Sequence, residues 1–169
     1  MNYELLKRFG SFFILCLVQA LILNQIHLFG VATPLLFVYF VITFRRNYPK
    51  WAILVWAFLM GLLIDTFSNT PGLAAASLTI IAAVQPYYLG ILVPRDSVEN
   101  FKPALSTLGP TKYTYYIVVL VLIYCLVFFS LELFNFFNWV QWAQCVGGSA
   151  VITLLLIFTF EIVKVKKGS

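Results

Sequence analysis

A chain of 169 residues in which 62% of side chains are hydrophobic, 18% aromatic and 10% charged, with a mean hydropathy of +0.96, carries more apolar surface than a domain of this length can fold away from water. Ordinary globular chains hold about 45–50% apolar and about 25% charged residues, so a water-soluble enzyme, a nucleic-acid-binding domain and a disordered tail are excluded, and an integral membrane protein with little mass outside the bilayer remains. Eleven Lys and Arg against six Asp and Glu give a net charge of +5, which in such a protein is first a record of topology.

A hydrocarbon core of about 30 Å requires roughly 20 apolar residues per helix. Six runs fit this demand, at residues 9–28, 29–44, 51–67, 72–93, 113–134 and 139–163. The second and third are short, which predicts little tilt or locally thinned lipid. Lys7 and Arg8 precede the first run; Arg45, Arg46 and Lys50 separate the second from the third. Arg95, Lys102 and Lys112 separate the fourth from the fifth, and Lys164, Lys166 and Lys167 follow the sixth. The alternate connections, around His27, at 68–71 and at 132–138, contain no Lys or Arg. The positive-inside rule therefore predicts both termini in the cytoplasm and an even number of crossings. The expected fold is all-α, a single six-helix transmembrane bundle spanning 1–169.

Lys7 and Arg8 ahead of an apolar stretch also look like a signal peptide, but the small-residue site at Val18 and Ala20 falls inside the run, so an uncleaved first helix is expected. Pro94, Pro103 and Pro110 mark the longest connection, 94–112, as a proline-rich connector. Its alternative is a short helix on the membrane surface, with Val98, Phe101, Leu105 and Leu108 on one face and Asp96 and Glu99 as a capping pair. Trp51, Tyr87, Tyr88, Tyr113, Tyr115 and Tyr116 toward the basic side, and Trp139 and Trp142 toward the other, read as aromatic belts.

Little in the spans suggests chemistry. Cys16, Cys125 and Cys145 lie in or beside apolar runs without a CxxC pair and read as small hydrophobes, so no metal or cofactor is expected. Asp65 is the costly residue, because an aspartate at a helix centre costs about 2.5–3.5 kcal/mol on insertion scales. The preferred reading is local: its carboxylate faces the start of the fourth span, where orphan N–H groups and the helix dipole favour an anion and Thr70 with Pro71 make the cap. The alternative is an anchor for a partner's polar group near the outer leaflet. Asp96 falls on the opposite side of the bilayer, which excludes an aspartyl dyad, and His27 has no nucleophile motif around it. Gln19, Gln85 before Pro86, Glu132 and Glu161 lie at different depths, unlike the midplane cluster of a transporter. The small-residue pairs Gly72 with Ala76, Ala75 with Thr79, and Ala143 with Gly147 are expected to seat helices within the bundle, the alternative being a helix of another protein.

The stretch from Gly61 to Gly72 sets a glycine before an apolar triplet and Asp65, then a Ser68-Asn69 turn and Pro71-Gly72-Leu73 opening an alanine-rich helix. It resembles the rod shape-determining membrane protein family, MreD. Pro34, Arg45, Arg46 and the chain length are similar to that family as well, while Ile64 and Thr66 stand where leucine is common around the aspartate. The resemblance implies a non-enzymatic scaffold subunit of the bacterial cell-wall elongation complex in the inner membrane. Such a subunit binds MreC, a single-pass protein, and supports side-wall peptidoglycan synthesis, with the RodA glycosyltransferase, its penicillin-binding transpeptidase and membrane lipid as neighbours. It also implies a six-helix fold similar to the substrate-binding subunits of energy-coupling-factor transporters, with Gly61, Asp65, Pro71 and Gly72 as motif residues. Two rivals stand beside it. A vitamin-transporter subunit is expected to carry an alanine-x-x-x-alanine pattern on its first span, where this chain has only Cys16 and Ala20. A membrane-embedded lipid enzyme needs a catalytic constellation that the residues do not supply.

Overall fold

Apolar runs of span length become helices because lipid offers a backbone N–H no partner except its own chain. The computed structural model describes residues 2–21, 33–93, 102–132 and 138–167. Among these, 84% are helical and none lies in a strand. The helices are α1 (Asn2–Leu21), α2 (Val38–Ile42), α3 (Lys50–Ser68), α4 (Leu73–Leu92), α5 (Leu105–Leu108), α6 (Pro110–Glu132) and α7 (Trp139–Lys167). Four of them, α3, α4, α6 and α7, are long and apolar enough to cross a membrane, and α1 contributes a shorter apolar stretch, Arg8–Leu21. The chain is therefore a multi-pass helical membrane protein.

The third, fourth and sixth spans appear nearly where hydropathy marks them. The fifth starts earlier, because Gly109 accepts the first helical hydrogen bond from Tyr113 and Pro110 fits the first turn, where its missing N–H costs nothing. Helix α1 starts at Asn2, not residue 9: Glu4 to Arg8 are good helix formers, and hydropathy marks where lipid begins, not where the helix does. Residues 22–28 of the first expected span and 29–32 of the second lie outside the described residues.

The second span departs from expectation. Residues 33–37 are not helical, and only the five residues of α2 are. The short run is thus an interrupted one, with turns on both sides of a five-residue helix. The segment lies inside the molecule: Phe37, Val38, Val41 and Ile42 are buried, and α2 packs on α1, α4 and α6. Around it, α3 packs on α4, α4 on α6 and α6 on α7, while α1 covers α3. Ile53, Met60, Leu78, Leu120 and Tyr124 fill the interior. Val55, Phe58 and Leu62 of α3 and Val151, Leu155 and Ile162 of α7 stand exposed at helical spacing, as a lipid-facing surface requires.

Two further expectations are corrected. Tyr113 and Tyr116 are fully buried and not interfacial, whereas Trp51, Tyr87, Tyr115 and Trp139 are exposed. Among the small-residue pairs, Ala143 and Gly147 are exposed, and a Cβ on Gly147 would meet nothing within 4 Å, so that pair seats no described helix. Gly72 is exposed at the cap of α4, while the close approach belongs to Gly61. In the long connection, α5 follows Pro103, with the Ala104 N–H held by Thr107 Oγ1 at 3.0 Å and Leu108 buried. The other residues of the expected surface helix, Asp96, Val98, Glu99 and Phe101, lie outside the described residues.

Candidate functional site

All four motif residues meet at the corner between α3 and α4. Gly61 and Asp65 are on the buried face of α3; Pro71 and Gly72 are exposed in the turn. A Cβ on Gly61 would overlap the Ala75 backbone and stand 2.8 Å from the Ala74 carbonyl carbon, so only glycine lets α4 approach this closely. That approach brings the start of α4 onto Asp65. One carboxylate oxygen, Oδ1, accepts from the Ala74 N–H at 2.8 Å and from Thr70 Oγ1 at 2.9 Å; Oδ2 accepts from the Ala75 N–H at 2.9 Å. The turn is closed by Asn69 in the left-handed region, φ 55°, and by Gly72 at φ 83°, which is the helix cap. The expected cap by Thr70 and Pro71 is therefore replaced. Gly72 offers no side chain, and an aspartate on the preceding helix satisfies the first-turn donors, with the helix dipole favouring its charge.

A second constellation surrounds residues 33–44, where bent backbone inside a membrane protein must find partners other than lipid. The N–H groups of Thr33 and Leu35 donate to Ser149 Oγ at 3.1 Å and Thr153 Oγ1 at 3.0 Å. These hydroxyls are one helical turn apart on α7, about 6 Å, and they meet two donors two residues apart on the non-helical stretch 33–35. Pro34 between them has no N–H to satisfy. On the other side Gln19 of α1 acts as a strand would: its Nε2 donates to the Pro34 carbonyl at 2.8 Å and its Oε1 accepts from the Leu36 N–H at 3.2 Å.

The far end is held in the same manner. Gln85 Nε2 donates to the Phe44 carbonyl at 3.2 Å and to Tyr116 Oη at 2.8 Å, and Tyr116 in turn donates to the Ile42 carbonyl at 3.1 Å. Tyr39 donates to Glu161 Oε2, whose Oε1 accepts from the Leu105 N–H at 3.3 Å. Gln19, Gln85 and Glu161, which sequence alone scatters over different depths, thus converge on one segment. Ser149, Thr153, Tyr39 and Tyr116 escape sequence reasoning; the available signal is a hydroxyl pair four residues apart on an apolar helix, and Thr33-Pro34 in a run too short for a helix.

Between the two constellations lies a cavity of about 180 Å³, lined on its polar side by Gln19, Thr33, Ser68, Thr70 and Glu132 and closed by Ile64 and Phe128. At the opposite end of the bundle Arg8, Lys50 and Lys164 lie against aromatic rings. The Arg8 guanidinium is 4.3 Å from the Tyr48 ring centre and 4.6 Å from that of Phe44, and Lys50 Nζ is 4.1 Å from that of Tyr87. Lys164 Nζ is 3.2 Å from Tyr39 Oη. His27 and Asp96 lie outside the described residues. Among the described residues no group of three His, Cys, Asp or Glu side chains is placed to hold a metal, and the three cysteines are free and buried. Compared with protein-family models, with curated proteins and with solved structures, the chain matches none.

Proposed function

We propose that the chain is a non-enzymatic scaffold subunit of the bacterial cell-wall elongation complex, of the MreD kind, seated in the inner membrane and holding an MreC-like single-pass partner. The observation that carries this reading is the Gly61-to-Gly72 corner. The residues that carry the family resemblance are the ones that fix the angle and depth of the α3–α4 turn, with Asp65 committed to three hydrogen bonds inside the chain. Buried Gln19, Gln85, Ser149, Thr153 and Glu161 likewise hold backbone or neighbouring side chains. A body stiffened in this way suits the presentation of a fixed surface to RodA, its penicillin-binding transpeptidase and the single-pass partner. In this reading α1, the interrupted 33–44 segment and the four long helices make six crossings. Both termini face the cytoplasm, where the positive-inside rule puts the basic connections.

The test is purification of the tagged chain from native membrane followed by identification of what accompanies it. A single-pass protein recovered in near-equal amount supports the proposal, and its absence together with unchanged cell shape on depletion overturns it. One observation favours a second reading, a substrate-binding subunit of a vitamin transporter: the polar cavity beside interrupted backbone, an arrangement that transporters use. The size of this cavity supports the scaffold reading instead. About 180 Å³ is below the roughly 300–1,000 Å³ of small-molecule sites. Mass spectrometry of the freshly purified chain separates the two, since a transporter subunit retains its vitamin.

A further inference from the structure

The cavity beside the α3–α4 corner is too small for a cofactor, yet its polar wall of Gln19, Thr33, Ser68, Thr70 and Glu132 is not that of a packing defect. This wall is rich in acceptors even after the hydrogen bonds its residues already make. Thr70 gives its one hydroxyl proton to Asp65 at 2.9 Å, so only lone pairs remain on its oxygen. Gln19 Oε1 accepts from the Leu36 N–H and keeps a second lone pair, while its Nε2 is held by the Pro34 carbonyl. Glu132, exposed at the end of α6, offers about four lone-pair sites and so can take a donor beside the interaction it already has. Two carboxylates bound the space, Glu132 on the wall and Asp65 one hydrogen bond behind Thr70. No Lys or Arg is among the described residues lining it, and the connections on this side, around His27, at 68–71 and at 132–138, contain none in sequence. The cavity is therefore an electronegative socket.

Volume and the mixed wall select the cation. About 180 Å³ is the share of about six waters, room for the end of a long side chain, and a bare metal ion fills little of it. Phe37, Ile64 and Phe128 on the apolar side suit a methylene stem, and the two phenyl rings also favour a cationic head.

We infer, on the scaffold reading above, that this socket receives one arginine or lysine side chain of the single-pass partner, from the segment flanking the partner's helix on the side away from the basic connections. Its charged head meets Glu132 and Thr70, and its stem lies against Phe37 and Phe128. The partner then bridges the α3–α4 turn and the 33–37 stretch, both of which line the socket.

The test is the affinity of the detergent-solubilised full chain for its MreC-like partner, measured at pH 8, where a histidine of ordinary pKa is neutral and His27 does not compete. Glu132→Gln, isosteric and exposed, reports charge and not folding, and is expected to weaken binding at least fivefold. Thr33→Phe, which fills the socket while its backbone N–H still meets Ser149, is expected to weaken it by at least as much. Thr66→Val, exposed on α3 outside the socket, leaves it unchanged. One Arg or Lys of the partner's flanking segment, changed to Gln, reproduces the loss, and its change to Glu restores binding to Glu132→Lys. Exchange of sodium for potassium or choline at equal ionic strength leaves the affinity unchanged. The inference is overturned if Glu132→Gln and Thr33→Phe bind as the native chain does, if no single partner cation reproduces the loss, or if the affinity follows the identity of the salt cation, the mark of a metal site. A native chain that binds no such partner overturns the scaffold reading as well, whereas normal binding by both variants overturns the socket alone.

Discussion

Adding one methyl group at Gly61 attacks the closest backbone approach in the α3–α4 hairpin. In Gly61→Ala the new Cβ overlaps Ala75, so α4 must move away from α3. Overpacking of this kind costs about 1–3 kcal/mol by itself. The movement also lengthens the 2.8–2.9 Å bonds from Ala74, Ala75 and Thr70 to Asp65. Asp65→Asn alone sets an NH₂ group against one first-turn N–H and removes the charge at the helix start, together about 2–4 kcal/mol. If the glycine exists to bring α4 onto the aspartate, the two losses overlap: Asp65→Asn should cost at least 1 kcal/mol less in the Gly61→Ala background than in the native one, approximately the coupling seen between residues that share a contact. Unfolding by SDS in mixed micelles, followed by tryptophan fluorescence, gives the four free energies of the cycle. Additivity within about 0.5 kcal/mol would refute the link between Gly61 and Asp65.

Three other outcomes follow from the same contacts. Ser149→Ala combined with Thr153→Val leaves the Thr33 and Leu35 N–H groups without their acceptors and should destabilise by about 2–5 kcal/mol in the same unfolding assay, whereas Thr159→Val, which removes only an exposed bond to its own helix at Leu155, should stay within about 0.5 kcal/mol. Gln19→Leu leaves the Pro34 carbonyl and Leu36 N–H unmet and should cost about 2–4 kcal/mol, while Gln19→Glu, which keeps the acceptor but loses the donor, should cost less than Gln19→Leu. Asp65→Leu should reduce recovery of a single-pass partner in a pull-down more than Glu161→Gln does; equal recovery from equally monodisperse samples counts against the scaffold proposal.

The long helices were legible because lipid selects them by a local property, apolar length, and 51–67, 72–93 and 139–163 carry it without help. Asp65 was legible for a related reason: Ser68 to Gly72 can only be a turn, so the first donors of the next helix must return to the level of the carboxylate. Residues 33–44 were not legible. Their interrupted backbone, helical over only five residues, is stable because Gln19, Gln85, Tyr116, Ser149 and Thr153 arrive from four other helices, and no periodicity within the run encodes partners so distant in sequence. For the same reason the buried tyrosines passed for interfacial ones. Tyr116 lies near the end of a span, as an anchoring ring does, and only the Ile42 carbonyl opposite it explains why it is inside.

The sidedness of the two kinds of turn tests the proposed threading most directly. The native cysteines are buried, so a single cysteine placed in an exposed turn reports alone. Under an impermeant maleimide on intact cells, Pro71→Cys should react at once, whereas Asn47→Cys, between the cations Arg46 and Lys50, should react only after the membrane is opened. Labelling of Asn47→Cys in intact cells would contradict six crossings with the basic residues in the cytoplasm, and the scaffold built on that topology with it.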